Sequence, residues 1–227
     1  MRNGFDLRGI AVLAVAAAFT GSVPSSITIA GDHDILGRTQ LADISGDPKK
    51  PRRHFRVRDA AELKPADAEA VYNKLSRDMA MGYRISGDNV AKSFRGWQRV
   101  NTAPYKSSSH GQRYLNNFIN AKGAAYLKFE SAGRLPVGSV IAKESFAVSA
   151  DGKASVGPLF LMEKMPKGFN YVSGDWRYSM IMPDGQILGV TKGKGSGAVK
   201  FCISCHLAKE RQDHLFFLPK AYRRKKN

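Results

Sequence analysis

Both cysteines of this 227-residue chain lie in one run of five residues, 202–206, which reads Cys-Ile-Ser-Cys-His. Two thiols separated by two residues and followed at once by histidine are the attachment pattern of c-type haem. In that pattern each thiol bonds one vinyl group of the porphyrin, and the adjacent imidazole becomes a ligand of the iron. The sequence therefore predicts one covalent haem c per chain, held by Cys202 and Cys205 with His206 on the iron.

Three other uses of this run fit the sequence less well. A structural zinc site normally has four ligands, and the nearest further histidine, His214, has no second ligand beside it. A thioredoxin-like redox pair needs a βαβ setting, which the flanking residues do not suggest. A disulfide between Cys202 and Cys205 is the third alternative. Haem attachment is preferred because cysteine occurs nowhere else in the chain and the five-residue pattern is specific.

The motif lies close to the C-terminus, which separates this chain from the common small electron-transfer cytochromes c. In those proteins the motif is near the N-terminus of an all-helical fold, and a methionine ligand follows it. Here 21 residues follow His206 and none is methionine, so any sixth ligand must come largely from earlier in the chain. The methionine candidates for that ligand are Met162, Met165, Met180 and Met182, although methionines in strands more often fill a hydrophobic core.

The N-terminus has the features of an export signal. Arg2 and Arg8 form a basic start, residues 10–19 are uninterrupted apolar, and small residues lead to Ala30. We predict a signal peptide, 1–30, that is cleaved on export to the periplasm, with an uncleaved N-terminal anchor as the alternative. A polar lead-in without periodicity, 31–64, then precedes the predicted haem domain, 65–227.

The chain is strongly basic, with a formal net charge of +17. A basic run such as 49–58 would ordinarily suggest nucleic-acid binding, but an exported haem protein meets little nucleic acid. The charge therefore predicts attraction of an acidic redox partner, such as another cytochrome, or of anionic lipid headgroups. It is equally consistent with the sequence that this run and the basic tail, 223–226, are solvated segments without a specific partner. A homodimer is a further expectation.

Helical periodicity comes first along the domain. Pro65 suits a first helical turn, and apolar residues then recur every fourth position from Val71 to Met79, which predicts a helix ending near Gly82. A second helix is predicted over 111–131, where Leu115, Phe118 and later apolar residues trace one face.

After Pro136 apolar residues tend to recur at every second position, which is typical of a β-strand. Residues 140–148 read as a strand that ends at an Asp-Gly turn, 151–152, and 158–162 read as its partner. Residues 176–182 and 186–190 form a second hairpin around 183–185. The predicted fold is α+β: a small antiparallel β-sheet with two preceding helices, and haem c bound near the C-terminus.

Four segments together resemble the cytochrome P-460 family, which includes the cytochromes c′-beta. The segments are Leu-Pro-Val-Gly-Ser-Val-Ile-Ala-Lys-Glu at 135–144, Met-Glu-Lys at 162–164, Gly-Asp-Trp-Arg-Tyr at 174–178 and the haem motif. The resemblance covers roughly 97–206. It implies a mainly antiparallel sheet with accompanying helices, and an iron whose distal face is open. Arg177 departs from the pattern, because the founding members favour glycine there, and this affects the expected shape of the distal pocket.

The resemblance also gives Lys143 a role. In the P-460 members the matching lysine is covalently joined to the porphyrin, which alters the ring and supports hydroxylamine oxidation. The c′-beta members bind nitric oxide without relying on that bond. From the residues alone, strand alternation places Lys143 on one face with Ile141, Ser145 and Ala147, where a lysine is usually solvated.

Two more candidates precede the strands. His110 is a candidate distal acid/base or sixth ligand, and Arg113 is a candidate to hold an iron-bound species. A locally hydrogen-bonded histidine and an exposed arginine are the simpler alternatives, and Glu163 and Asp175 are possible proton acceptors. The predicted function is an oxidoreductase acting on hydroxylamine or nitric oxide. The alternatives are a non-catalytic nitric oxide binder and a simple electron carrier.

Overall fold

The computed structural model describes residues 56–224. The predicted signal peptide, 1–30, and most of the lead-in lie outside these residues. In the described part, no helix is long and apolar enough to cross a membrane.

Helix α1, Pro65–Ile85, confirms the first predicted helix and continues three residues past Gly82. Pro65 is accepted at its start because the first helical N–H has no partner within the helix. One face of α1 is buried, and its spacing follows the helical repeat. The buried residues are Ala68, Tyr72, Met79 and Tyr83.

A second, short helix follows directly. Helix α2, Asn89–Ser93, starts where the Asp88 carboxylate accepts a hydrogen bond from the Ala91 amide, 3.0 Å away. This cap satisfies one of the amides that a helix start leaves without a partner. Phe94, directly after α2, is buried in the same apolar cluster as the inner face of α1. The two helices therefore form one layer.

Eight antiparallel strands form a single sheet in the described residues. They are β1 Gln98–Arg99, β2 Tyr105–Ser107, β3 Arg113–Ile119, β4 Val140–Val148, β5 Ala154–Val156, β6 Leu159–Lys164, β7 Trp176–Ile181 and β8 Ile187–Val190. The order across the sheet is β1-β3-β4-β6-β7-β8, while β2 also pairs with β3 and β5 with β4. The predicted α+β class is confirmed, and the predicted partners pair, β4 with β6 and β7 with β8. The strand that directly follows the 151–152 turn is the short β5, which the sequence did not indicate.

The second predicted helix, 111–131, is wrong. Its first half is strand β3, which pairs with β4 from Tyr114↔Phe146 to Ile119↔Ile141. Its second half, Ala121–Ser131, consists of 3₁₀ turns interrupted at Phe129, where φ is 51°. Every residue of β3 is buried. A strand covered on both faces lacks the polar and apolar alternation that identifies a strand in sequence, and its apolar spacing here coincides with a helical pattern.

Two apolar clusters cover the two faces of the sheet. Along β4, Ile141 belongs to one cluster, while Ala142 and Phe146 belong to the other. The second cluster includes α1 and is called the helix side. The first contains Trp176, Tyr178 and residues next to the cysteines, and is called the motif side. The predicted alternation along this strand is therefore confirmed.

Candidate functional site

A cleft opens on the motif side of the sheet. Five of the six residues that the sequence predicts to be catalytic or haem-binding line it: His110, Lys143, Cys202, Cys205 and His206. Aromatic and aliphatic side chains complete the walls. They are Phe160, Leu161, Met162, Tyr178, Phe201 and Phe216.

The haem motif is part of helix α3, Lys200–Leu207. Residues three and four apart lie on the same face of a helix, so Cys202, Cys205 and His206 all face the cleft. Both cysteines are free thiols, which rules out the disulfide alternative in this structure. No group of three or more His, Cys, Asp and Glu side chains within the described residues could hold a metal ion.

His206 is 6 % exposed and held in a defined orientation. Its Nδ1 lies 2.6 Å from the carbonyl oxygen of His214. A carbonyl can only accept, so the proton is on Nδ1 and the lone pair is on Nε2. The ring also packs against Tyr178 and Phe216, with both pairs of ring centroids 5.1 Å apart. A backbone acceptor on Nδ1 is the usual way to fix the tautomer of a metal-ligating histidine.

Lys143 is 4 % exposed and projects from β4 into the cleft. Burial lowers the pKa of its amine to about 8, because water no longer solvates the ammonium form, and the nearby Cys205 and Cys202 oppose this shift. The strand-lysine alternative, a solvated side chain, is therefore wrong. The sequence does not indicate that this face of β4 is buried, because the segments that bury it are brought there only by the tertiary structure.

Burial also favours the neutral form of the two thiols, and for a thiol this shifts the pKa upward. Burial raises the pKa of Cys202 to about 12 and raises that of Cys205, while the positive charge of Lys143 acts in the other direction. Both cysteines are therefore neutral thiols near neutral pH. The cleft holds two thiols, an amine with a lowered pKa and an oriented imidazole.

His110 lines the cleft at a different place in the fold than predicted. It ends a 3₁₀ turn, Ser108–His110, between β2 and β3, rather than starting a helix. Its Nδ1 lies 3.1 Å from the Ser107 hydroxyl and 3.2 Å from that of Ser109, and its ring packs edge-on against Phe160. His110 therefore has the local hydrogen bonds of the simpler alternative and also lies in the cleft wall.

Arg113 is not among the residues that line the cleft. It is 1 % exposed, and burial lowers the pKa of its guanidinium to about 10. Its Nη1 donates to the carbonyl of His110 at 3.5 Å. The structure thus links Arg113 to the His110 turn, and the exposed-arginine alternative is wrong.

The other predicted candidates differ in whether they line the cleft. Of the methionines, Met162 lines the cleft, while Met180 and Met182 are core residues. Glu163 forms an ion pair with Arg177. Arg177 alternates with the buried residues of β7 and is not a lining residue, so its departure from the family pattern leaves the cleft wall unchanged. The carboxylate of Asp175 accepts the Asn170 amide at 2.9 Å, which is a turn contact.

Sequence reasoning missed Tyr178 and Phe160 as lining residues. The sheet register explains their position, because Phe160 pairs with Lys143 and Tyr178 pairs with Met162 across adjacent strands. The Tyr178 hydroxyl is buried without a hydrogen-bond partner among the described residues. A haem would fit this donor set: two thiols, one imidazole with its lone pair on Nε2, and aromatic walls with an unsatisfied hydroxyl.

Comparison with known proteins agrees with this geometry. No curated protein matches the chain. The model of one protein family, Cytochrome P460, matches residues 91–217, which is more than half of the chain. The matched range contains β3 to β8 and every lining residue named above. The chain therefore belongs to the Cytochrome P460 family and is a haem-binding, iron-containing cytochrome.

Proposed function

We propose that this protein is a periplasmic mono-haem c oxidoreductase that acts on a small nitrogen compound, hydroxylamine first and nitric oxide second. The observation that carries the proposal is the presence of Lys143, Cys202, Cys205 and His206 around one cleft. Lys143 is buried there without a carboxylate in an ion pair with it among the described residues, which is costly for a structural lysine. That cost is understandable if the amine has a chemical role.

The thiols first attach the cofactor. Cys202 and Cys205 would hold the haem through two thioether bonds, each formed by addition of an S–H bond across a vinyl C=C bond, which needs no oxidant. Because both cysteines are on the face of α3 that carries His206, the Nε2 lone pair of His206 would be available to the iron. The Nδ1 contact with the His214 carbonyl maintains this orientation.

Lys143 then modifies the ring. A neutral amine is the nucleophilic form, and the lowered pKa of Lys143 makes that form accessible near neutral pH. The amine would be placed to form a bond from Nζ to a porphyrin carbon, with loss of one N–H and one C–H hydrogen. Such a bond requires a two-electron oxidant of the peroxide class, and hydrogen peroxide would take up the two electrons and two protons and become two water molecules.

When bound, haem iron supplies one-electron redox chemistry and an open coordination position for a nitrogen ligand. The chain provides the surroundings. His110 brings an imidazole to the cleft wall, where it accepts protons that hydroxylamine releases on oxidation, and the hydroxyls of Ser107 and Ser109 orient its ring. The apolar walls exclude bulk water.

Electrons leave to an acidic redox partner such as another cytochrome. The net charge of +17 supports this, because opposite charges increase the rate of encounter. Export to the periplasm is supported by the basic and apolar pattern of residues 1–30.

A nitric oxide binder without catalytic activity is the second candidate. The observation in its favour is the apolar wall beside Lys143, formed by Phe160, Leu161 and Met162, which suits a neutral diatomic gas. The two candidates differ in the fate of Lys143, since only the enzyme requires a bond from its amine to the ring.

The test begins with the mature protein. Haem should remain on the chain after denaturation and acid-acetone extraction, and should be lost in the double variant Cys202→Ala, Cys205→Ala. Peptide mapping should recover a modified Lys143, and Lys143→Ala should lose hydroxylamine oxidation and keep its haem. Lys106→Met is the matched control, because Lys106 pairs with Glu62 outside the cleft. Recovery of an unmodified Lys143 from active protein would contradict the enzyme proposal and favour nitric oxide binding.

A further inference from the structure

A buried ion pair lies beside the loop that contacts His206. Lys164 Nζ, on β6, is 2.5 Å from Asp213 Oδ1, and the side chains are 9 % and 2 % exposed. Lys164 also donates to the Gly174 carbonyl at 2.8 Å and lies 5.0 Å from the centroid of the Trp176 ring. Replacement of a buried ion pair by apolar residues often leaves stability unchanged or improves it. Stability alone therefore does not explain this pair.

The second carboxylate oxygen and the backbone carbonyl of Asp213 also accept hydrogen bonds, which hold the backbone around residue 213 in place. Its Oδ2 accepts the Leu135 amide at 2.9 Å, and its carbonyl accepts the Trp176 indole N–H at 2.8 Å. Asp213 is thereby attached to three separate parts of the motif side. The next residue in the chain is His214, whose carbonyl receives the proton of His206 Nδ1.

The backbone at this point is in an unusual conformation. Asp213 and His214 have φ values of 54° and 60°, a region that non-glycine residues seldom occupy. Two such residues in succession persist only where the surroundings enforce them. Gly174 contributes to this, because a Cβ at that position would lie 2.4 Å from the His214 ring. The ion pair and Gly174 together hold the His214 carbonyl in place.

We propose that Lys164 and Asp213 are positioning residues for His206. They fix the His214 carbonyl that accepts the Nδ1 proton, and so set how strongly His206 donates electrons through Nε2. A strong hydrogen bond at Nδ1 makes the imidazole a better donor, which stabilises the ferric state. The proposal depends on the role of His206 as an iron ligand.

Three variants of the haem-loaded protein test this. Lys164→Met and Asp213→Asn each break the ion pair, and Gly174→Ala displaces His214 without removing a charge. Arg95→Gln is the matched control, since it breaks the ion pair with the fully buried Glu144 on the helix side. The measurements are the reduction potential and the iron–histidine stretching frequency of the ferrous protein.

We expect each of the three variants to raise the reduction potential and lower the stretching frequency. Arg95→Gln should leave both unchanged. If the charge variants do not accumulate as haem protein, Gly174→Ala decides the question. Haem-loaded variants with the parent potential and frequency would overturn the positioning role and leave the haem assignment intact. A His206→Ala variant that keeps the iron–histidine stretch of the parent would overturn the assignment of His206, and the positioning proposal with it.

Discussion

The lowered pKa of Lys143 predicts how the rate of ring modification depends on pH. With an ordinary pKa of 10.5, about one amine in three thousand is neutral at pH 7. With a pKa of about 8, roughly one in ten is neutral. The reactive fraction is thus about 300-fold larger in the cleft. Bond formation should therefore proceed at neutral pH, where a solvated lysine would react very slowly.

The perturbation is a change of pH during modification in vitro. Protein that carries haem through its thioethers, but has not met peroxide, is treated with hydrogen peroxide at a series of pH values. The initial rate is followed by the loss of two hydrogen atoms in the intact mass and by the disappearance of the free Lys143 peptide. The rate should increase about 50-fold from pH 6 to pH 8 and only about twofold above that.

Other titrating groups face the same cleft and need separate treatment. The two thiols are consumed in the thioethers, and burial raises the pKa of Tyr178 beyond this pH range. His206 would be bound to the iron. His110→Gln removes the other imidazole of the cleft and should retain the plateau above pH 8. A rate that keeps rising in proportion to hydroxide through pH 10 would show an ordinary lysine. A rate independent of pH would show that deprotonation of Lys143 does not limit the reaction.

Three further predictions concern stability, measured as the free energy of unfolding in urea. Tyr178→Phe removes a buried hydroxyl without a partner among the described residues, and should be neutral or stabilise by about 1 kcal/mol; a clear loss would mean that the hydroxyl bonds to the bound cofactor. Gly82→Ala should destabilise by about 1–3 kcal/mol, although alanine favours helices, because its Cβ would lie 2.0 Å from the Pro183 carbonyl oxygen. Gly96→Ala, with open space around it, is the control and should change stability by less than about 0.5 kcal/mol. Phe146→Ala should cost about 3–5 kcal/mol, because this ring is fully buried on the helix side, and should leave modification of Lys143 intact.

Local patterns predicted the elements whose own residues indicate their type. Helix α1 follows from Pro65 and a regular apolar face, and strand β4 follows from its β-branched residues and the turn after it. Strand β3 is covered on both faces, as β4 is, but Ile119 is its only β-branched residue, so its apolar spacing is mistaken for a helical pattern. The error had a consequence for His110, which was placed at a helix start and in fact ends a turn between two strands.

The candidate site was predictable where the residues are adjacent in sequence. Cys202, Cys205 and His206 are specified by one motif, and their helix brings all three to the cleft. The carbonyl of His214 and the role of Asp213 could not be predicted, because they arise from tertiary hydrogen bonds. Lys143 lies between these cases. Alternation predicted its face, but its burial depends on the segments that cover that face.

The alternation along β4 has an evolutionary consequence. Lys143 and Glu144 are covalent neighbours, yet one belongs to the cleft and the other to an ion pair with Arg95 on the opposite face. Their side chains share no partner, so a substitution of Lys143 leaves the ion pair of Glu144 in place. Selection can therefore exchange the lysine, and with it the proposed ring modification, while the helix side keeps the fold. A single scaffold can diverge in chemistry without first acquiring a new architecture.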